Sequence, residues 1–128
     1  MVALAAIGRG EALRITRVVE PDEAMTGGLM RPMAGSSLVE LHSLADVEGF
    51  LRPTTAEELV ELGVRAEIHH IDPRILANWV RETIGDVELA ASLDAVVDSE
   101  RAFGLLVPDI KALIAERLAQ CEAVLANG

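Results

Sequence analysis

The chain has 128 residues, enough for one domain and too few for two full ones, and its 51% hydrophobic content suffices for one compact core. Phe50, Trp79 and Phe103 are its only aromatics, so that core must be aliphatic and platforms for stacking on bases are scarce. Twenty-one acidic against eleven basic side chains give a net charge of −10; such a surface repels phosphate backbones, and no basic run offsets it.

No apolar run approaches the roughly 20 residues of a bilayer span. The first eight residues carry no basic lead of the kind that opens a signal peptide, so a cytoplasmic protein with no membrane association is expected.

Residues 1–53 are cut up by Gly8, Gly10, Gly27, Gly28, Gly35 and Gly49 and by Pro21, Pro32 and Pro53, which favours short elements. The stretch 13–19 alternates apolar and polar residues at its start and is rich in β-branched types, which predicts a half-buried strand. Its partner strand is sought in 2–7 or 37–44. Equal weight falls on a helix starting at Ser37, where Glu40 completes a Ser-x-x-Glu capping box and Leu38, Leu41, Leu44 and Ala45 share a face. Gly8-Arg9-Gly10 and Gly27-Gly28 lack the context of a phosphate-binding loop and are assigned to turns. Met25, Met30 and Met33 are assigned to closing the open end of the core, with an interaction surface as the alternative.

From residue 54 the local signals agree. Thr54 or Thr55 caps a short helix carrying Leu59, Val60 and Leu62, and Gly63 allows its C-terminal turn. Residues 64–71 are open to an extended reading, with His69 and His70 on opposite sides. Asp72-Pro73 is a strong helix start. A helix over 73–84 gathers Ile75, Leu76, Trp79, Val80 and Ile84 on one side and leaves Arg74, Asn78, Arg81 and Glu82 wet. Gly85 ends it, and Asp86 starts another through about residue 97 with Leu89, Ala90, Leu93, Val96 and Val97 inward, so a helix hairpin is expected. Pro108 or Asp109 begins a last helix, whose Ile114, Leu118, Cys121 and Leu125 form a seam at steps of four, three and four. Residues 54–128 hold six basic and fourteen acidic groups, or −8, so most of the negative field lies there.

The fold expected is mainly α: one domain with a compact helical bundle from about residue 54 onward and a short β hairpin or small sheet in the N-terminal third, the alternative class being α+β. The best metal-like cluster is His69, His70 and Asp72, with Glu67 nearby and His42 as a further imidazole, because imidazole nitrogens and carboxylate oxygens bind zinc and related ions. Adjacent histidines diverge in a strand, and Asp72 is also claimed by helix capping. Ser36-Ser37 has no nucleophile-elbow pattern. Cys121 cannot form an internal disulfide and is expected to pack as a small hydrophobe.

With no catalytic constellation, no named cofactor and pronounced acidity, the leading expectation is a non-catalytic protein-interaction or regulatory domain with an acidic helical surface. It would bind a protein partner or another copy of itself, the latter through Ile114, Leu118 and Leu125. A small metal-dependent enzyme built on the histidines and a structural subunit of a larger assembly are the alternatives.

Overall fold

The computed structural model describes residues 4–31, 35–52, 56–63, 68–99 and 103–127. Among them six α-helices surround a largely aliphatic core, and a small three-stranded antiparallel sheet lies to one side.

The first helix, α1 (Arg9–Ile15), replaces the strand expected over 13–19. Within α1 Ala12 and Ile15 are buried three residues apart and Leu13 is exposed; beyond its end Val19 is buried and Val18 exposed. The alternation of residue types there was a coincidence of composition, and the spacing that counts is helical. Gly8 occupies the N-cap of α1 and Arg9-Gly10 lie inside it.

After a single 3₁₀ turn at Pro21–Glu23 comes a hairpin of β1 (Met25–Arg31) and β2 (Gly35–Leu41), with Met25 opposite Leu41 and Arg31 opposite Gly35. Strand, rather than the helix starting at Ser37, is therefore the structure of 35–41. The capping box sits one turn later, where the Ser43 hydroxyl accepts from the Asp46 amide at 3.1 Å and the Asp46 carboxylate accepts from the His42 amide at 3.0 Å. It opens α2 (Leu44–Phe50), which buries Leu44, Val47 and Phe50.

Gly27 and Gly28 belong to β1, not to a turn. A Cβ on Gly27 would lie 2.7 Å from the Phe50 ring, so the bare backbone at this point is what lets α2 press an aromatic against the sheet. Met25 is buried as expected and Met30 is exposed, while Met33 lies outside the described residues.

Helix α3 (Ala56–Leu62) matches the expected short helix and Gly63 follows it with φ +56°; its expected caps, Thr54 and Thr55, lie outside the described residues. Strand β3 (Ile68–His70) then joins the far side of β1, giving the order β2-β1-β3. The sheet thus draws a strand from beyond residue 54, and two helices lie before it.

Asp72 caps α4 (Pro73–Trp79), accepting from the Arg74 and Ile75 amides at 3.0 and 3.3 Å. The helix continues as a π turn (Val80–Ile84) in which the Val80 carbonyl accepts from both Gly85 and Asp86. Leu76, Trp79, Val80 and Ile84 are buried as expected and Ile75 is exposed. Gly85 turns at φ +86° and also gives way to the Arg14 side chain, 3.0 Å from where a Cβ would stand. Arg14 of α1 donates to the Gly85 carbonyl at 3.0 Å, and Arg17, just past the end of α1, donates to those of Thr83 and Ile84, so two cations cap the negative end of this helix.

Asp86 caps α5 (Val87–Val97) through the Leu89 amide, and Arg74 and Arg81 tie α4 to Asp94 on α5. Helix α6 (Phe103–Asn127) starts earlier than expected and carries Pro108 inside it. Pro108 faces water while Leu106, Ile110, Leu113 and Ile114 are buried, so the apolar stripe runs past the proline; the burial of Leu106 offsets the lost amide bond. Helices α1, α2 and α5 all pack on α6.

Leu93 is fully buried and Leu118 only partly so. Leu93→Ala is expected to cost about 2 to 5 kcal/mol and Leu118→Ala less than the lower bound of that range. Denaturant titration of the two variants reads the difference, and equal midpoints would contradict the burial described.

Candidate functional site

Among the described residues no three His, Cys, Asp or Glu side chains are grouped so as to hold a metal ion. His69, opposite Leu29 in the sheet, packs against Phe50 with ring centroids 4.7 Å apart and ring planes tilted by 51°. His70 is opposite Gly28 and takes the other face, as alternation in a strand requires. His42 follows β2 and lies 3.3 Å from the Glu40 carboxylate, on the outer side. One step beyond the Met25–Leu41 pair, His42 falls level with Ala24, four residues along β1 from the level of His70, or roughly 13 Å. Asp72 is occupied by capping α4, and Glu67 lies outside the described residues.

A buried charge cluster that the sequence does not signal by local pattern joins α5, α6 and the N-terminal segment. Arg117, 1% exposed, stands in the α6 stripe three residues after Ile114 and four before Cys121. Its Nε is 2.8 Å from Asp86 Oδ2, its Nη2 is 2.5 Å from Glu88 Oε1, and its Nη1 donates to the Ala5 carbonyl at 2.9 Å and to Gln120 at 2.7 Å. Glu88 accepts from the Ala5 amide at 2.8 Å, and Gln120 donates to the Leu4 carbonyl at 3.0 Å. An extended N-terminal segment is thereby strapped across α5 and α6 by its main chain. Its one trace in the sequence is a cation at a seam position, where a leucine would otherwise be expected.

Beside this strap an open cleft of about 350 Å³ is edged by Ile7, Glu11, Arg14 and Glu88. Its two guanidinium groups already face carboxylates or carbonyls, so the cluster holds the fold together and offers no unsatisfied charge to a ligand. Cys121, one turn along α6, is fully buried; burial pushes its thiol above the ordinary range, with nearby Arg117 pulling the other way.

The exposed chemistry lies on the outer face of the sheet. Its inward side carries Met25, Gly27 and Leu41 toward the core, and alternation sends Thr26, Gly28 and Met30 of β1, Ser36, Leu38 and Glu40 of β2, and Ile68 and His70 of β3 outward. Met30 is directly opposite Ile68, and Leu38 is diagonal to Met30 because its own opposite neighbour is Gly28, which has no side chain. An apolar stripe therefore crosses all three strands, with Leu38 80% exposed, Met30 41% and Ile68 40%. By contrast, the seam expected to face a second subunit is used internally: Ile114 is buried, and Leu118 and Leu125 pack against the chain's own core.

No family model, curated protein or solved structure matches the chain. Among the described residues no helix is long and apolar enough to cross a membrane.

Two outcomes check the buried cluster. Arg117→Ala leaves Asp86 buried without its cation and should cost about 3 to 5 kcal/mol in a denaturant titration; an unchanged midpoint would contradict the clasp. Since a raised pKa means less thiolate at neutral pH, Cys121 should react with a thiol reagent far more slowly in the native protein than in denaturant. Equal rates would place it at the surface.

Proposed function

We propose that this chain is a non-catalytic protein-interaction domain whose outer sheet face receives another polypeptide. The apolar stripe of Leu38, Met30 and Ile68 carries this reading, because it is contiguous across three strands and sits on an otherwise strongly charged chain. Single exposed apolar residues are ordinary; a direct pair, Met30 and Ile68, with Leu38 diagonal to it on the same sheet face, is a surface that gains by being covered.

The rest of the composition supports the same reading. A net charge of −10 keeps the remaining surface hydrated and disfavours nucleic acid, which leaves a polypeptide as the favoured occupant of the apolar stripe. A lone cysteine that has no internal disulfide to make supports a cytosolic setting. The metal-enzyme alternative would need a ligand set beyond the dispersed His42, His69, His70 and Asp72.

Immobilised wild type and Leu38→Lys, each checked for an unchanged thermal midpoint, should differ in what they retain from native extract. Proteins held by the wild type are expected to be lost on the variant. Identical retention on both would remove the sheet face from consideration.

A further inference from the structure

We propose that the occupant of this surface is a second copy of the same chain, paired antiparallel along β2 so that two three-stranded sheets join into one of six strands; this rests on the interaction reading above. In the order β2-β1-β3, β2 is an edge strand, and among the described residues no strand lies on its outer side. The open edge ends where the chain turns away, at His42, whose carbonyl accepts from the Val19 amide at 2.7 Å.

Edge strands of stable monomers are guarded by lysine, proline, a bulge or an inward charge. Residues 35–41 read GSSLVEL: they contain no proline and no lysine, they pair with β1 residue for residue without a bulge, and Glu40 is their one charge. Such an edge is built to be covered.

The pattern of β2 is self-complementary about its midpoint. Leu38 is the central residue of the seven, and a two-fold axis through it is the one register that pairs the whole strand with itself. Each Leu38 then meets the second copy's Leu38, burying the most exposed residue of the apolar stripe. Each Glu40 meets a Ser36 hydroxyl, which can donate to the carboxylate, and Leu41 meets Gly35. The two carboxylates stand four residues apart along the strands, about 13 Å, which is beyond the screening length at physiological salt. The stripes of the two copies then become continuous through the joined β2 strands.

Two chains of −10 repel at long range, so this dimer should strengthen as salt is raised, the opposite of what a basic partner on the same surface would show.

Sedimentation equilibrium over a wide concentration range, at low and high salt, should give a monomer–dimer equilibrium that tightens with salt. Leu38→Lys should raise the dissociation constant by at least about tenfold while leaving the thermal midpoint of the monomer unchanged. In a Cys121→Ala background, Leu38→Cys should cross-link as a dimer on oxidation, and Val60→Cys, at a position 83% exposed on α3, should not. A constant monomer mass, a dimer indifferent to Leu38→Lys or weakened by salt, or equal cross-linking at both positions would overturn the second-copy assignment. If a monomeric wild type still retains other proteins through Leu38, only that assignment falls; if it retains none, the interaction reading falls with it.

Discussion

Burial of one stripe of α6 organises the helical part of the molecule. Leu106, Ile110, Leu113, Ile114, Arg117 and Cys121 line a single face, and α1, α2 and α5 close over it. Five of the six are apolar and pack without further conditions. The sixth is an arginine, and a buried guanidinium is tolerable only if its charge is met. Asp86 and Glu88 supply the charge, and Ala5 and Gln120 accept hydrogen bonds. Because Asp86 also caps α5, the same carboxylate fixes the start of one helix and the register of another against it. The N-terminal segment is therefore bound by the need to satisfy α6, and Leu4 enters the core as a consequence.

The sheet is attached by a different device. Phe50 reaches from the end of α2 onto the main chain of Gly27 and packs against His69, so one ring contacts the central strand and an outer one. Any larger residue at position 27 would hold α2 off. This attachment uses only the inward side of the strands. On their outward side Leu38 is largely in water and Met30 and Ile68 are partly so.

Sequence reading succeeded where a single local signal decides the structure and failed where two elements share the decision. Asp72-Pro73 and Asp86 open helices as expected, since a carboxylate next to bare amides acts within four residues. Gly63 and Gly85 end their helices as expected, each with a positive φ. The strand expected at 13–19 failed because residue types were weighed above spacing. Gly27-Gly28 was misplaced because the reason for those glycines is Phe50, more than twenty residues away. Arg117 went unnoticed because a charged residue on a helix is normally solvated, and only the fold brings Asp86 and Glu88 to it. The histidines behave as strand alternation implies: His69 goes inward to Phe50 and His70 outward, and no shared position for the two arises.

What the outer sheet face does follows from the same alternation. A strand with one side committed to a core must send every second residue the other way, and a monomer satisfies this by making those residues polar. β2 does so at Ser36 and Glu40 but not at Leu38, and β1 and β3 place Met30 and Ile68 alongside. Exposing such groups costs about 25 cal/mol for each Å² left in water, and nothing in the helical half of the molecule gains by it. The core is complete without them, and Arg117 and Phe50 both find their partners inside the fold. A feature that costs solubility and adds nothing to the fold's own packing is most simply explained by another surface, and the strand that carries the most exposed of these residues is also the one whose main-chain edge lies open.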